Sequence, residues 1–374
     1  MKSDKTTPNV PTLRFKQYHC PWSTYHLSDI AEVVGGGTPD TTVPSLWNGD
    51  IQWFTPTEVG RQKYVSKSAR TITQLGLQKS SAKKLPAGSI LLSSRATIGE
   101  CSIAQRECTT NQGFQNLIPK NDTNNEFLYY LAQTKKHHFI KYASGSTFLE
   151  ISNSEIRKTK CTVPGTEEQT QIAAFLSALD DRISVQNKII SKYETLIKGL
   201  CDMIFRHNKS VSLSDLVKCK TSALQENTVS TCHRGEYKVL GASGAIAAID
   251  TYQFEESGIL VLKDGSKAGK IQFAQGKYSV VGTSVVLIPN EACDARYLYF
   301  AMSSIDFEKY KVGSGIPHIY FKDYSNERIY YPDKALRKKI TKTLDFYESM
   351  VEIERKMLSA MQKQKAFLLQ SMFI

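Results

Sequence analysis

Arg61, Lys63, Lys67, Arg70, Lys79, Lys83 and Lys84 fall in a stretch, 61–84, that contains no acidic residue, with Gln62, Tyr64 and Gln74 between them. Cations spaced in this way neutralise phosphates, although such a run also reads as an ordinary solvated face. Arg95, in a Ser-Arg-Ala-Thr turn, suits guanine, a phosphate clamp or a structural salt bridge. Asn111 and Gln112 carry the amides that match adenine, and equally the side chains that close turns. Ser144-Gly-Ser146 offers hydroxyls and backbone N–H groups to phosphate, and Ser314-Gly-Ile-Pro-His318 matches it, with His318 as a further donor. A second set comprises Lys263, Lys267 and Lys270 ahead of a strand, together with Thr283 and Ser284. These side chains bind a polyanion; they do not break bonds.

Signatures of catalysis are missing from the sequence. An adenine methyltransferase would show Asn/Asp-Pro-Pro-Tyr/Phe, and a dinucleotide enzyme Gly-x-Gly-x-x-Gly after a strand; neither occurs. Gly265-Ser-Lys-Ala-Gly-Lys-Ile has the wrong spacing for a phosphate loop and lacks its Ser/Thr, so it reads as a basic surface turn. His137 and His138 are adjacent and point to different helix faces, and none of the eight Cys form a C-x-x-C pair, so no metal is expected. Trp47 and Trp53 read as core or loop anchors. The expectation is a non-catalytic binder of nucleic acid with no cofactor of its own. The alternatives are a single-chain nuclease or methyltransferase with unrecognised motifs, and a partner-independent DNA-binding scaffold.

Composition agrees with that class. The 374 residues suffice for two or three domains, and 41% are hydrophobic, enough for real cores. Lys and Arg number 48 against 36 Asp and Glu, a net charge of +12 that suits nucleic acid or an anionic membrane surface. The opening Met1-Lys-Ser-Asp-Lys-Thr-Thr-Pro has no apolar core, and no apolar run approaches the ~18 residues of a membrane span. The expected location is the cytoplasm, with reduced cysteines and no membrane partner.

The sequence also repeats itself. At an offset of 170 residues, Ile90-Leu-Leu matches Leu260-Val-Leu, Leu117-Ile-Pro matches Leu287-Ile-Pro, and Phe127-Leu-Tyr-Tyr matches Tyr297-Leu-Tyr-Phe. The same offset carries Lys141, Ser144 and Gly145 onto Lys311, Ser314 and Gly315, after which a two-residue slip sets Val163-Pro against Tyr331-Pro. Strand-like runs lie at 51–54, 89–92, 101–104, 116–118, 237–240, 259–262, 270–273 and 284–288, and Asn125 is placed to cap a short helix. After each proline comes a long helical pattern of about 38 residues, roughly 55–60 Å. Its apolar stripe runs through Ile172, Leu176, Leu179, Ile183, Ile190 and Leu200 in one copy, and Ile340, Leu344, Tyr347, Val351, Leu358 and Leu368 in the other. Helices this long find their simplest partner in each other; a bundle or a homodimer is the other solution. The pattern predicts an α+β chain: two similar domains of mixed, twisted sheet with short helices, separated by two long antiparallel helices in a coiled coil, with a pseudo-twofold internal repeat and a dumbbell shape. The boundaries expected are 1–163 and 209–332 for the domains, and 164–208 and 333–374 for the helices.

Several stretches resemble the specificity subunits of type I restriction-modification enzymes: Val10-Pro-Thr-Leu-Arg-Phe with Leu27-Ser-Asp-Ile, Gly35-Gly-Gly-Thr-Pro, Trp47-Asn-Gly-Asp-Ile-Gln-Trp-Phe-Thr-Pro, Ser94-Arg-Ala-Thr-Ile-Gly-Glu, Thr110-Asn-Gln-Gly-Phe-Gln, and Glu168-Gln-Thr-Gln-Ile-Ala-Ala-Phe-Leu-Ser-Ala-Leu-Asp. The second half lacks the Gly-Gly-Thr-Pro and Trp…Thr-Pro elements. The resemblance implies a partner in double-stranded DNA and two target recognition domains, each reading one half of a split, asymmetric DNA target. It also implies helices that set the spacing and dock two modification (adenine methyltransferase) subunits, which carry S-adenosylmethionine. Restriction subunits using ATP and Mg would complete the complex.

Overall fold

In a computed structural model, residues 9–120, 122–145, 149–206, 210–229, 234–291, 294–313 and 315–374 are described. They divide into two units, Met1–Gln186 with Met357–Ile374, and Asn187–Lys356. Each unit therefore contains one mixed domain and a half of each long helix.

Strands in the first unit are β1 (Ser23–His26), β2 (Ala31–Gly35), β3 (Trp47–Phe54), β4 (Tyr64–Val65) and β5 (Arg70–Ile72). They continue with β6 (Ile90–Leu92), β7 (Cys101–Ala104), β8 (Cys108–Thr110), β9 (Gln115–Pro119) and β10 (Lys160–Val163). The second unit holds β11 (Val211–Ser212), β12 (Val217–Thr221), β13 (Tyr237–Gly241), β14 (Gly244–Ile249) and β15 (Gly258–Leu262). After these come β16 (Ile271–Ala274), β17 (Tyr278–Val280), β18 (Ser284–Pro289) and β19 (Arg328–Ile329).

The repeat is visible in the strand orders. The main sheet runs β2-β9-β6-β7-β4 in the first unit and β12-β18-β15-β16 in the second. The smaller sheets run β5-β3-β8 and β14-β13-β17, and each pairs its centre strand with the last strand in parallel. Both domains close with a short antiparallel pair, β1 with β10 and β11 with β19.

Alternation along the main sheets separates two cores. Ile90, Leu92 and Leu117 face one cluster with Phe127, Leu128 and Leu131 of the helix Asn125–Thr134, whereas Leu91 faces Phe54, Cys108 and Phe114 on the other side. In the second unit Ile259, Val261 and Leu287 face the helix Ala295–Met302, and Leu260 faces Tyr278 and Val280. Ile90 thus corresponds to Ile259 rather than Leu260, a correction of one residue to the offset of 170 at this strand. The reason is the following turn, which is one residue longer in the second copy: Gly99 N–H donates to Ser93 O, and Gly269 N–H to Leu262 O. A strand has period two, so a one-residue slip would exchange its faces.

The two long helices are Thr166–Phe205, 40 residues, and Lys334–Met372, 39 residues. In the first unit Ile172, Leu176 and Leu179 share a core with Leu368, Met372 and Phe373, and Asp180 pairs with Lys365 at 2.6 Å. In the second unit Glu194 pairs with Arg355 at 2.5 Å, and Leu200 packs on the core that contains Leu344 and Ile340. The numbers rise along one helix as they fall along the other, so the two are antiparallel. Of the expected stripe, Ile190 and Val351 are also buried, while Ile183, Tyr347 and Leu358 are partly covered. The cap of the helix Asn125–Thr134 is Asn124, whose side chain accepts from Phe127 N–H, one residue ahead of the Asn125 expected.

Candidate nucleic-acid interface

Three loops of the first unit converge at the end of the main sheet. Ser94 N–H donates to Gly113 O at 2.8 Å and Ile151 N–H to Ser94 O at 3.1 Å, while Ser144 and Glu150 exchange two backbone hydrogen bonds at 2.9 Å. This brings Arg95, Asn111, Gln112 and Ser144 into one cluster. A fourth loop joins through Gly37 N–H, which donates to Thr110 O at 2.9 Å, and through Thr38 Oγ1, which donates to Gln112 Oε1. Gly36 has no room for a side chain, because a Cβ there would stand 1.9 Å from Asn111 O.

The second unit rebuilds the cluster with the same bonds. Lys263 N–H donates to Thr283 O and Ile319 N–H to Lys263 O, both at 2.9 Å, and Val312 and His318 exchange two bonds at 2.8 and 2.9 Å. Lys263, Thr283 and His318 are brought together here. Ser144 therefore corresponds to Val312, and Gly145 to Gly313, both at positive φ (135° and 100°). The pairing of Ser144 with Ser314 expected from the sequence is corrected by two residues, because the slip precedes this loop instead of following it. Ser146 and Ser314 themselves lie outside the described residues.

The turn bonds weighed as alternatives are present. Arg95 Nη2 meets Glu150 Oε2 at 2.6 Å, and Asn111 Oδ1 accepts from Gly113 N–H at 2.9 Å. Arg95 keeps 45% of its side chain exposed, and Gln112 is exposed. Ser284 is corrected outright as a surface candidate. It is 1% exposed on a strand with a core on either side, too deep to meet a ligand.

Of the acid-free run, only part is free. Lys63 donates to Ser177 and pairs with Glu126 at 3.1 Å, with the rings of Tyr64 and Tyr130 about its ammonium. Lys84 pairs with Glu107 at 2.6 Å. The Arg70 guanidinium lies 3.7 Å from the centre of the Trp47 ring, which is buried edge-on to Trp53; both indoles donate to loop carbonyls as anchors. Arg61, Lys67 and Lys83 are exposed and have no ion pair among the described residues, and Lys267 shares that state in the second unit. Lys270 reaches Ala242 O at 3.4 Å. Sequence reading missed the carboxylates Glu107, Glu126 and Glu150, which come from elsewhere in the chain, and Asp264, which directly follows Lys263 but meets His318 at 2.8 Å through the fold.

Among the described residues no group of three His, Cys, Asp or Glu could hold a metal, and no helix is long and apolar enough to cross a membrane. Burial pushes the Cys101 and Cys108 thiols up to about 12, which leaves them unreactive.

The sequence of the whole chain decides the family. The model of the "Type I restriction modification DNA specificity domain" matches residues 20–195 and again 206–362. The chain belongs to this family. Among specificity-domain relatives, the type I restriction enzyme MjaIX specificity subunit of Methanocaldococcus jannaschii is 41% identical over 178 residues, 46% of this chain and 41% of that protein. The EcoR124I/EcoR124II specificity subunit of Escherichia coli is 29% identical over 175 residues, 45% of this chain and 43% of that protein. The chain thus spans about two fifths of the length of these relatives. The EcoprrI specificity subunit of Escherichia coli is 20% identical over 350 residues, 87% of each. In fold, the chain resembles the S subunit of a type I restriction-modification system from M. genitalium, with a TM-score of 0.62 at 15% identity over 98% of this chain and 99% of that one. A second type I structure gives 0.56 at 15% identity over 94% and 98%. Both likenesses show a shared fold.

Proposed function

We propose that this chain is the non-catalytic DNA-recognition subunit of a type I restriction-modification system and works in the cytoplasm. Each recognition domain, 1–163 and 209–332, reads one half of a split, asymmetric target. The spacer helices, 164–208 and 333–374, set the distance between the halves. The observation that carries the reading is the twice-built loop cluster, the same backbone bonds presenting different side chains in each copy. A protein that read two identical half-sites would need identical heads.

The DNA contacts proposed are Arg61, Lys67, Arg70, Lys83, Arg95, Asn111, Gln112 and Ser144 in the first unit, and Lys263, Lys267, Lys270, Thr283 and His318 in the second. Phosphate contacts supply affinity, and the loop cluster supplies discrimination. Two adenine methyltransferase subunits carrying S-adenosylmethionine would dock on the helices, and restriction subunits using ATP and Mg would join them. Phe346 and Ile353 in the second unit, and Met357 and Phe367 in the first, leave apolar side chains 45–61% exposed on the second long helix, a surface suited to helical partners.

Mapping methylated adenines in cells with and without the gene tests the proposal. Loss of one split, asymmetric motif is the expected result. An unchanged methylation pattern in cells whose modification subunits are active would overturn it.

A further inference from the structure

Positions 95 and 150 in the first unit occupy the same cross-strand bridge as 264 and 318 in the second. Both bridges carry a side-chain pair, and the order of charge is reversed. In the first, Arg95 donates to Glu150 at 2.6 Å; in the second, His318 Nδ1 meets Asp264 Oδ1 at 2.8 Å, with Lys263 Nζ a further 3.9 Å from Asp264. All four side chains remain 31–45% exposed, at the loop cluster and outside either core.

We propose that this bridge is the specificity-determining pair of each unit, with Arg95 and His318 as reading heads and Glu150 and Asp264 as positioning residues. The inference rests on the DNA-reading role proposed above and adds which class of base each head takes. A guanidinium has only donors. With one held by Glu150, the planar fork keeps donors for the two acceptors, N7 and O6, that guanine shows in the major groove. A carboxylate oxygen accepts, so the ring bonds Asp264 through Nδ1–H, and in that tautomer Nε2 is left as an acceptor. Such an acceptor fits the exocyclic amine of adenine or cytosine. The two halves of the target thus carry opposite hydrogen-bonding polarity at equivalent positions: guanine in one, adenine or cytosine in the other.

The test is the methylated motif written by the whole system carrying variants of this chain. Arg95→Ala and Glu150→Ala should each relax one guanine position in one half, by about 10-fold in discrimination, and leave the other half intact as a control for folding. Asp264→Asn is isosteric, but its amide can donate to Nδ1 as well as accept from it, so the ring proton is free to move to Nε2. It should shift one position of the other half from adenine or cytosine toward guanine or thymine. A merely structural role would lower methylation at all sites without changing any base preference. A phosphate clamp would make Glu150→Ala bind all sequences more tightly. Either result overturns this inference while the split motif of the unaltered chain stands. If the unaltered chain writes no split motif, the DNA-reading role itself fails.

Discussion

Asp180 and Lys365 meet at 2.6 Å with less than a fifth of either side chain exposed, so the two long helices are joined in the first unit by a nearly dry ion pair. Tyr130 OH donates to the other Asp180 oxygen at 2.7 Å, which ties the recognition domain into the same network. Lys365→Met keeps the apolar stem and leaves Asp180 short of a partner. A loss of about 1–3 kcal/mol is expected in urea unfolding. Adding Asp180→Asn should recover part of it, since the stranded charge is then removed. An unchanged midpoint for the single variant would mean that the pair contributes nothing.

Much of this architecture is legible in the sequence because it is periodic. The stripe from Ile172 to Leu200 repeats at helical spacing over about eight turns, and the eight expected strands all form. Register is less legible. Ile90-Leu-Leu and Leu260-Val-Leu look alike at an offset of 170, yet only their buried faces show that Ile90 matches Ile259. The charge pairing was invisible for another reason. Lys63 and Lys84 sit in an acid-free run, but Glu126 and Glu107 reach them through the fold. A linear charge count cannot see partners brought in by tertiary contact.

The start of the second long helix depends on Arg337, which forks onto Asp294 with two hydrogen bonds of 3.0 Å, donates to Pro332 O and stacks at 4.0 Å on Tyr331. Both partners are nearly buried, at 8% and 5% exposed. Removing one strands the other charge, so Asp294→Ala is expected to cost about 3–5 kcal/mol. Arg337→Lys should also lose stability, because an ammonium cannot form the fork. Thermal unfolding would measure both, and equal stability of Lys and Arg at 337 would contradict the role of the fork.

Glu126 gives acid sensitivity a definite sign. Burial alone would raise its carboxyl, but hydrogen bonds from Ser177, Tyr64 and Lys63 outweigh burial and hold it below the ordinary 4.5. A carboxylate with a lowered folded pKa stabilises the fold above its unfolded pKa, and that contribution disappears as pH falls through the folded value. Stability measured from pH 6 down to about 3 should therefore fall, and Glu126→Gln should flatten that fall. A variant curve parallel to the unaltered one would show that the site is uncoupled from folding.

Ion pairing sorts the basic residues by what they can give to DNA. Arg61, Lys67 and Lys83 are unpaired among the described residues, so each replacement by Ala should weaken binding to all sequences alike and reduce the salt slope by about 0.9. Lys84→Ala should do less, because Glu107 already neutralises it. Lys63→Ala should act on stability instead, since its ammonium holds Glu126 and Ser177. Titrations of duplex at several salt concentrations separate these outcomes, and a full slope change for Lys63→Ala without loss of stability would contradict the sorting.

The helices as a ruler give the last expectation. Because the two run antiparallel, four residues inserted in only one of them would break the register that joins Glu194 to Arg355. Matched insertions, one near 184–190 in the first helix and one opposite in the second, keep the pairing. Each adds about 6 Å of rise, and duplex DNA advances about 3.4 Å per base pair. The spacer of the methylated motif should lengthen by one or two base pairs while the bases of both halves stay the same. A single insertion should abolish the motif. If the doubly lengthened chain kept the original spacer at full activity, something other than the length of these helices would set the distance between the half-sites.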